Sequence, residues 1–116
     1  MQKRAFAVLL PPDRVEASAQ ALASCWLGER REAFQDARRR AGIVREAVWI
    51  QSAPGGSLAI LYLEADDVDI AFTLLKTSAE PFDIWFREQS HDVHGIALAE
   101  GFSAPELVLD FDIGTI

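Results

Sequence analysis

Two apolar runs meet across a turn in the middle of the chain: IVREAVWIQS at 43–52 and SLAILYLEA at 57–65, joined by APGG. β-Branched and aromatic residues on both sides of a Pro-Gly-Gly turn are the signature of a β-hairpin. A four-residue loop over 53–56 sets Gln51 opposite Leu58, Trp49 opposite Ile60, Ala47 opposite Tyr62 and Arg45 opposite Glu64. Strand side chains alternate, so these eight residues share one face. The other face carries Val44, Glu46, Val48, Ile50, Ala59, Leu61 and Leu63. It is apolar apart from Glu46 and is predicted to meet helices. A slip of one residue would exchange the two faces.

The flanking elements follow from periodicity and caps. RAFAVLL at 4–10 reads as a strand closed by Pro11 and Pro12. Asp13 with Glu16 forms a capping-box pattern, and Val15, Ala19, Leu22, Trp26, Ala33 and Ala37 keep helical spacing through to Ala41. One helix over 13–41 is expected, with Gly28 the place where it would kink or break. Arg38, Arg39 and Arg40 suit the carbonyl end of its dipole, and Gly42 suits the residue after it. Asp66 or Asp67 caps a second helix that buries Val68, Ala71, Phe72 and Leu75. Pro81 restarts helix over PFDIWFREQSHDV, burying Phe82, Trp85, Phe86 and Val93, and Gly95 ends it. GIALA and ELVLDFD, separated by Gly101 and Pro105, are both candidates for a fourth strand. The order β-α-β-β-α-β is that of an α+β, ferredoxin-like sheet. It accounts for residues 1–116 as one domain, with 101–116 a C-terminal extension or extra strand.

Right-handed crossovers place both helical layers on one face of such a sheet. The other face would show Trp49, Leu58, Ile60 and Tyr62 to water, a patch larger than soluble monomers usually tolerate. A homodimer through this open face is expected, two-fold dimers being the commonest oligomers. The alternative is that 101–116 folds back over it. A chain of 116 residues can build a core without disulfides or metals, and no cofactor is expected. Its net charge of −7 would repel phosphate backbones, which argues against nucleic acid. The arginines at 30, 31 and 38–40 are interleaved with acids and read as a solvated helix face. No stretch approaches a membrane span. The apolar run AFAVLL stops at Pro11, too short for a signal peptide, and the single Cys25 suits a reducing compartment, so a cytoplasmic location is expected.

Candidate functional residues are few. Glu46 stands on the face meant for helices, where a carboxylate must be paired, protonated or lining a polar cavity. A raised pKa would make it a general acid or base; otherwise it partners an arginine from the helices or reaches water at the sheet rim. His91 and His94 are three apart on the last helical turn. They could share a metal only with a third ligand, so no metal site is assigned and His94 is kept as an acid–base candidate. Arg45 and Glu64 with Trp49 and Tyr62 could hold an anionic or aromatic ligand, or simply fix dimer register. Trp85 reads as core from its stripe and is kept among the ligand-lining candidates. Arg87 and Asp83 form an i, i+4 pair. Cys25 falls off the apolar stripe, which speaks against a catalytic thiol. No GxSxG, P-loop, CxxC or HExxH pattern occurs.

The stretch from Arg45 to Leu98, with REAVW, LYLEADD, PFDIWFRE and HDVHG, resembles an uncharacterised bacterial family of the dimeric α/β-barrel superfamily. The likeness covers about half the chain closely and the rest in element order. It implies a ferredoxin-like protomer and a dimer whose two sheets close a barrel. Relatives in that superfamily include cofactor-independent quinol monooxygenases, haem-degrading enzymes and stress-responsive barrel proteins. The two histidines usual in the monooxygenase branch fall here at Leu75 and Pro81, although the phenylalanine that follows is kept as Phe82. Three functions are therefore open: a dimeric protein binding a small hydrophobic or aromatic molecule, a cofactor-independent enzyme using Glu46 or His94 with Tyr62, or an interaction dimer without ligand.

Overall fold

The computed structural model describes residues 1–94 and 105–115, so the strand candidate GIALA lies outside the described residues. The described chain runs β1 (Gln2–Leu10), α1 (Val15–Trp26), α2 (Arg31–Ala41), β2 (Ile43–Ala53), β3 (Gly56–Ala65), α3 (Val68–Thr77) and α4 (Pro81–His94). It is an α+β arrangement of three antiparallel strands in the order β1-β3-β2 and four helices. ELVLDFD is not a strand: residues 105–112 have no regular secondary structure and lead into a 3-10 turn at Ile113–Thr115.

The hairpin has the register its sequence dictates, with Gln51 opposite Leu58, Trp49 opposite Ile60, Ala47 opposite Tyr62 and Arg45 opposite Glu64. Its turn is tighter than expected, because Ala53 pairs with Gly56 and leaves only Pro54 and Gly55 between the strands. Gly56 has φ +136°, a conformation that L side chains rarely adopt. A bulge between Ile43 and Arg45 changes the start of β2. Ile43, 7 % exposed, takes the buried place predicted for Val44, which turns outward at 62 %.

The helices cover the face that carries Phe6, Leu10, Ala59 and Leu63, all buried. Ala41, Ile43, Leu63, Ala65, Val68, Ala71 and Leu75 form the core, with Phe72 packed on it and edge-on to Phe6 at 5.2 Å between ring centroids. Asp67 caps α3 by accepting from the Ile70 amide at 3.0 Å, and the Gln2 side chain accepts from the Val68 amide at 2.9 Å. On the opposite face Leu9 and Trp49 stand exposed, with Leu58, Ile60 and Tyr62 half-buried between them. The described tail does not cover it: Leu107, Val108, Leu109, Phe111 and Ile113 are themselves exposed.

The expected helix over 13–41 is two helices. The Leu27 amide still donates to Ala23 O, then the Arg30 amide reaches back to Ser24 O at 3.0 Å, closing the chain around Gly28. A Cβ on Gly28 would lie 2.9 Å from Ser24 Cα, so only glycine fits this turn. Asp13 makes no cap, because Pro12–Arg14 is a 3-10 turn ahead of α1. α2 ends as its sequence implies, on Gly42 at φ +76° with its amide on the last carbonyls. Independence of the two helices rotates their faces. α1 buries Ser18 and Cys25, while Trp26 is 66 % exposed and Ala19 and Ala33 are exposed. The predicted continuous stripe is thus broken, and Cys25, expected to lie off it, is 2 % exposed.

Candidate functional site

Between α1 and the β2 edge of the sheet lies a cavity of about 500 Å³. One wall is the strand from Glu46 to Ile50; the other is Ala19, Leu22, Ala23, Cys25 and Trp26 of α1, with Phe34 of α2. The walls are apolar except for Glu46 and the Cys25 thiol. The volume is in the range of small-molecule sites.

Glu46 is held by Arg38. Arg38 Nε donates to Oε1 at 2.6 Å and Nη2 to Oε2 at 3.4 Å, with the side chains only 7 % and 14 % exposed. The guanidinium lies 4.5 Å from the Phe34 ring centroid and 4.6 Å from that of Phe86, a cation stacked on two aromatic rings. Its remaining nitrogen, Nη1, is buried with no hydrogen-bond partner. Arg38 is therefore part of the core, a correction to the solvated arginine face. Phe34, Arg38 and Ala41 lie at i, i+4 and i+7 on α2, and that spacing, together with the need of Glu46 for a partner, is the signal for it. Burial pushes the Cys25 thiol pKa up, with partial relief from the Ser24 side chain and the nearby Arg38 and Arg30 charges, so the thiol is protonated at neutral pH.

The other candidates are dispersed. Arg45, Tyr62 and Glu64 are on the open sheet face, and Arg45 Nε stands 4.0 Å from Glu64 Oε2, a loose pair with Arg45 largely exposed. Trp49 belongs to that face and also borders the cavity at the strand edge. Trp85 is on the helical side, with the Arg30 guanidinium 4.1 Å over its ring and Phe82 and Phe86 around it. It does not join Trp49 and Tyr62. Val93, His91 and His94 fall at the end of α4, and their side chains lie outside the described ones. Among the described residues no group of three His, Cys, Asp or Glu side chains could hold a metal, and no helix is long and apolar enough to cross a membrane.

A second cavity, about 400 Å³, lies where α2, α3 and the start of α4 meet. Asp83 on its wall is buried and accepts from Arg40 Nη2 at 3.1 Å and Ser78 Oγ at 2.5 Å. The predicted Arg87–Asp83 pair is not made. Arg87 instead donates to the carbonyls of Leu75 and Ser78, both at 2.7 Å, and so satisfies the end of α3.

Comparison of the chain with protein-family models, with curated proteins and with solved structures finds no match.

Proposed function

We propose that this chain is a dimeric binding protein for a small hydrophobic or aromatic molecule, taken into the cavity between α1 and β2. The observation that carries this reading is the cavity itself: about 500 Å³, walled by Leu22, Trp26, Phe34, Val48, Trp49 and Ile50. Sites of that size and lining bury most of a small ligand's surface. The Arg38–Glu46 pair favours binding over catalysis. The guanidinium holds the carboxylate in a fixed, mostly buried ion pair at the cavity wall, the arrangement of a structural pair. The β1-β3-β2 order, with helices on one face, is compatible with the ferredoxin-like, dimeric-barrel reading, in which a second copy covers the open face.

Trp26 and Trp49 on the cavity walls make the test direct. Titration with 1-naphthol and with a naphthoquinone, followed by tryptophan fluorescence, is expected to saturate at micromolar concentrations. Ala23→Trp, which fills the cavity from α1, is expected to weaken binding at least about tenfold, the loss of roughly 1.4 kcal/mol. Equal affinity in this variant, or no saturable binding by the native chain, removes the ligand reading.

A further inference from the structure

The cavity runs along the free edge of β2. β2 pairs only with β3 among the described strands, so its other edge shows unpaired amides and carbonyls. From Ala47 to Ala53 this edge reads AVWIQSA, with neither charge nor proline to discourage a further strand. Proteins seldom leave so long an apolar edge uncovered. The same chain carries an unspent strand sequence. Over residues 106–113, Leu107, Leu109, Phe111 and Ile113 alternate with Glu106, Val108, Asp110 and Asp112. All five large apolar side chains there are exposed, from 65 % at Leu107 to 85 % at Val108. Asp110 of the segment stands 2.6 Å from Lys3 of its own protomer, a pair at the surface. Such pairs contribute little, whereas burying several large apolar side chains contributes much more.

We propose that residues 106–113 of one copy add as a strand to the free edge of β2 in a second copy and roof the cavity there. Laid along β2, the segment turns Leu107, Leu109 and Phe111 toward the apolar wall of α1. Its alternate residues, Asp110 and Asp112, then fall on the open-face side, where Arg45 stands largely exposed and only loosely paired with Glu64. Eight residues at about 3.3 Å each cover roughly 26 Å, enough to span the five strand residues that line the cavity. The inference deepens the ligand reading, since the partner copy would complete the same site.

The test uses the full chain. Val108→Cys carrying a nitroxide on the outward face of the segment, at natural isotope abundance, is mixed in about fourfold excess with native chain enriched in 15N, so that most enriched copies gain a labelled partner; buried Cys25 takes no label under native conditions. With labelled chain in that excess, about four-fifths of the enriched copies pair with it, and the expected result is loss of more than about half the amide signal at residues 46–50 of the enriched copies. Broadening confined to β1, or none, overturns the proposal. A Leu109→Asp/Phe111→Asp chain, its fold checked by circular dichroism, is expected to exchange its β2 edge amides about tenfold faster. Unchanged exchange overturns the proposal as well. Naphthol titration separates the two readings: broadening without ligand binding retains the added strand and removes the ligand, and binding without broadening does the reverse.

Discussion

Glu46 and Arg38 form an ion pair drawn in at the core, and they are worth more together than apart. Removing one leaves the other buried without its counter-charge, which costs about 3–5 kcal/mol, whereas replacing both with apolar side chains of similar size is often close to neutral. Glu46→Ala is therefore expected to lower the unfolding free energy by about 3–5 kcal/mol in urea titrations, and Arg38→Met/Glu46→Leu to recover most of it. Equal losses in the single and double variants would show that the pair holds the core through its net attraction. Cys25, beside them, gives a pH signature. Burial raises its thiol pKa above the ordinary 9.0, so the unfolded chain loses this proton first as pH climbs. Its contribution to stability is whole below pH 9.0 and is lost as pH rises through the higher folded value. Native protein compared with Cys25→Ala at pH 7 and pH 10 is expected to show the steeper decline in the native chain. Parallel declines would remove the burial effect.

At the scale of elements, what the sequence settles is what local chemistry settles. The hairpin register follows from period-2 alternation and a Pro-Gly turn, and it is readable to the residue. The ends of α2 and α3 are readable because Gly42 and Asp67 act on backbone groups within their own turns. The bulge at Val44 and the direction of α1 are not. Both depend on how distant segments pack: helical spacing marks Gly28 as a break, but not how α1 is set against the rest of the fold. The cavity takes its second wall from both sides of that break, so the site is only half readable: Glu46 and Trp49 are visible as candidates, their α1 wall is not. Three substitutions test these devices. Gly28→Ala forces a Cβ against the Ser24 backbone and is expected to cost about 1–3 kcal/mol, read as a fall in Tm. Ile43→Ala is expected to cost about 2–5 kcal/mol while Val44→Asp stays within about 0.5 kcal/mol. The opposite ranking would place the bulge elsewhere.

For the whole molecule, the unbalanced feature is a sheet with a helical layer on one side only. Leu9 and Trp49 project from the bare face around half-buried Leu58, Ile60 and Tyr62, and the exposed tail adds more apolar surface. The net charge of −7 opposes association, yet Lys3 and Arg45 lie on this face, so its own field is less negative than the rest of the molecule. A second copy laid sheet to sheet would bury the patch from both sides at once, which is why two-fold pairing suits it. Leu9→Glu and Trp49→Glu separate this role from folding. Both side chains are exposed in the protomer, so neither charge should unfold it, and surface changes of this kind usually stay within about 0.5 kcal/mol. Introduced together, they put two carboxylates from each copy into an apolar interface with no partner for either. Light scattering at micromolar concentration is expected to give twice the protomer mass for the native chain and the protomer mass for the double variant, with the same circular dichroism spectrum. A native chain that runs at the protomer mass sinks the dimer.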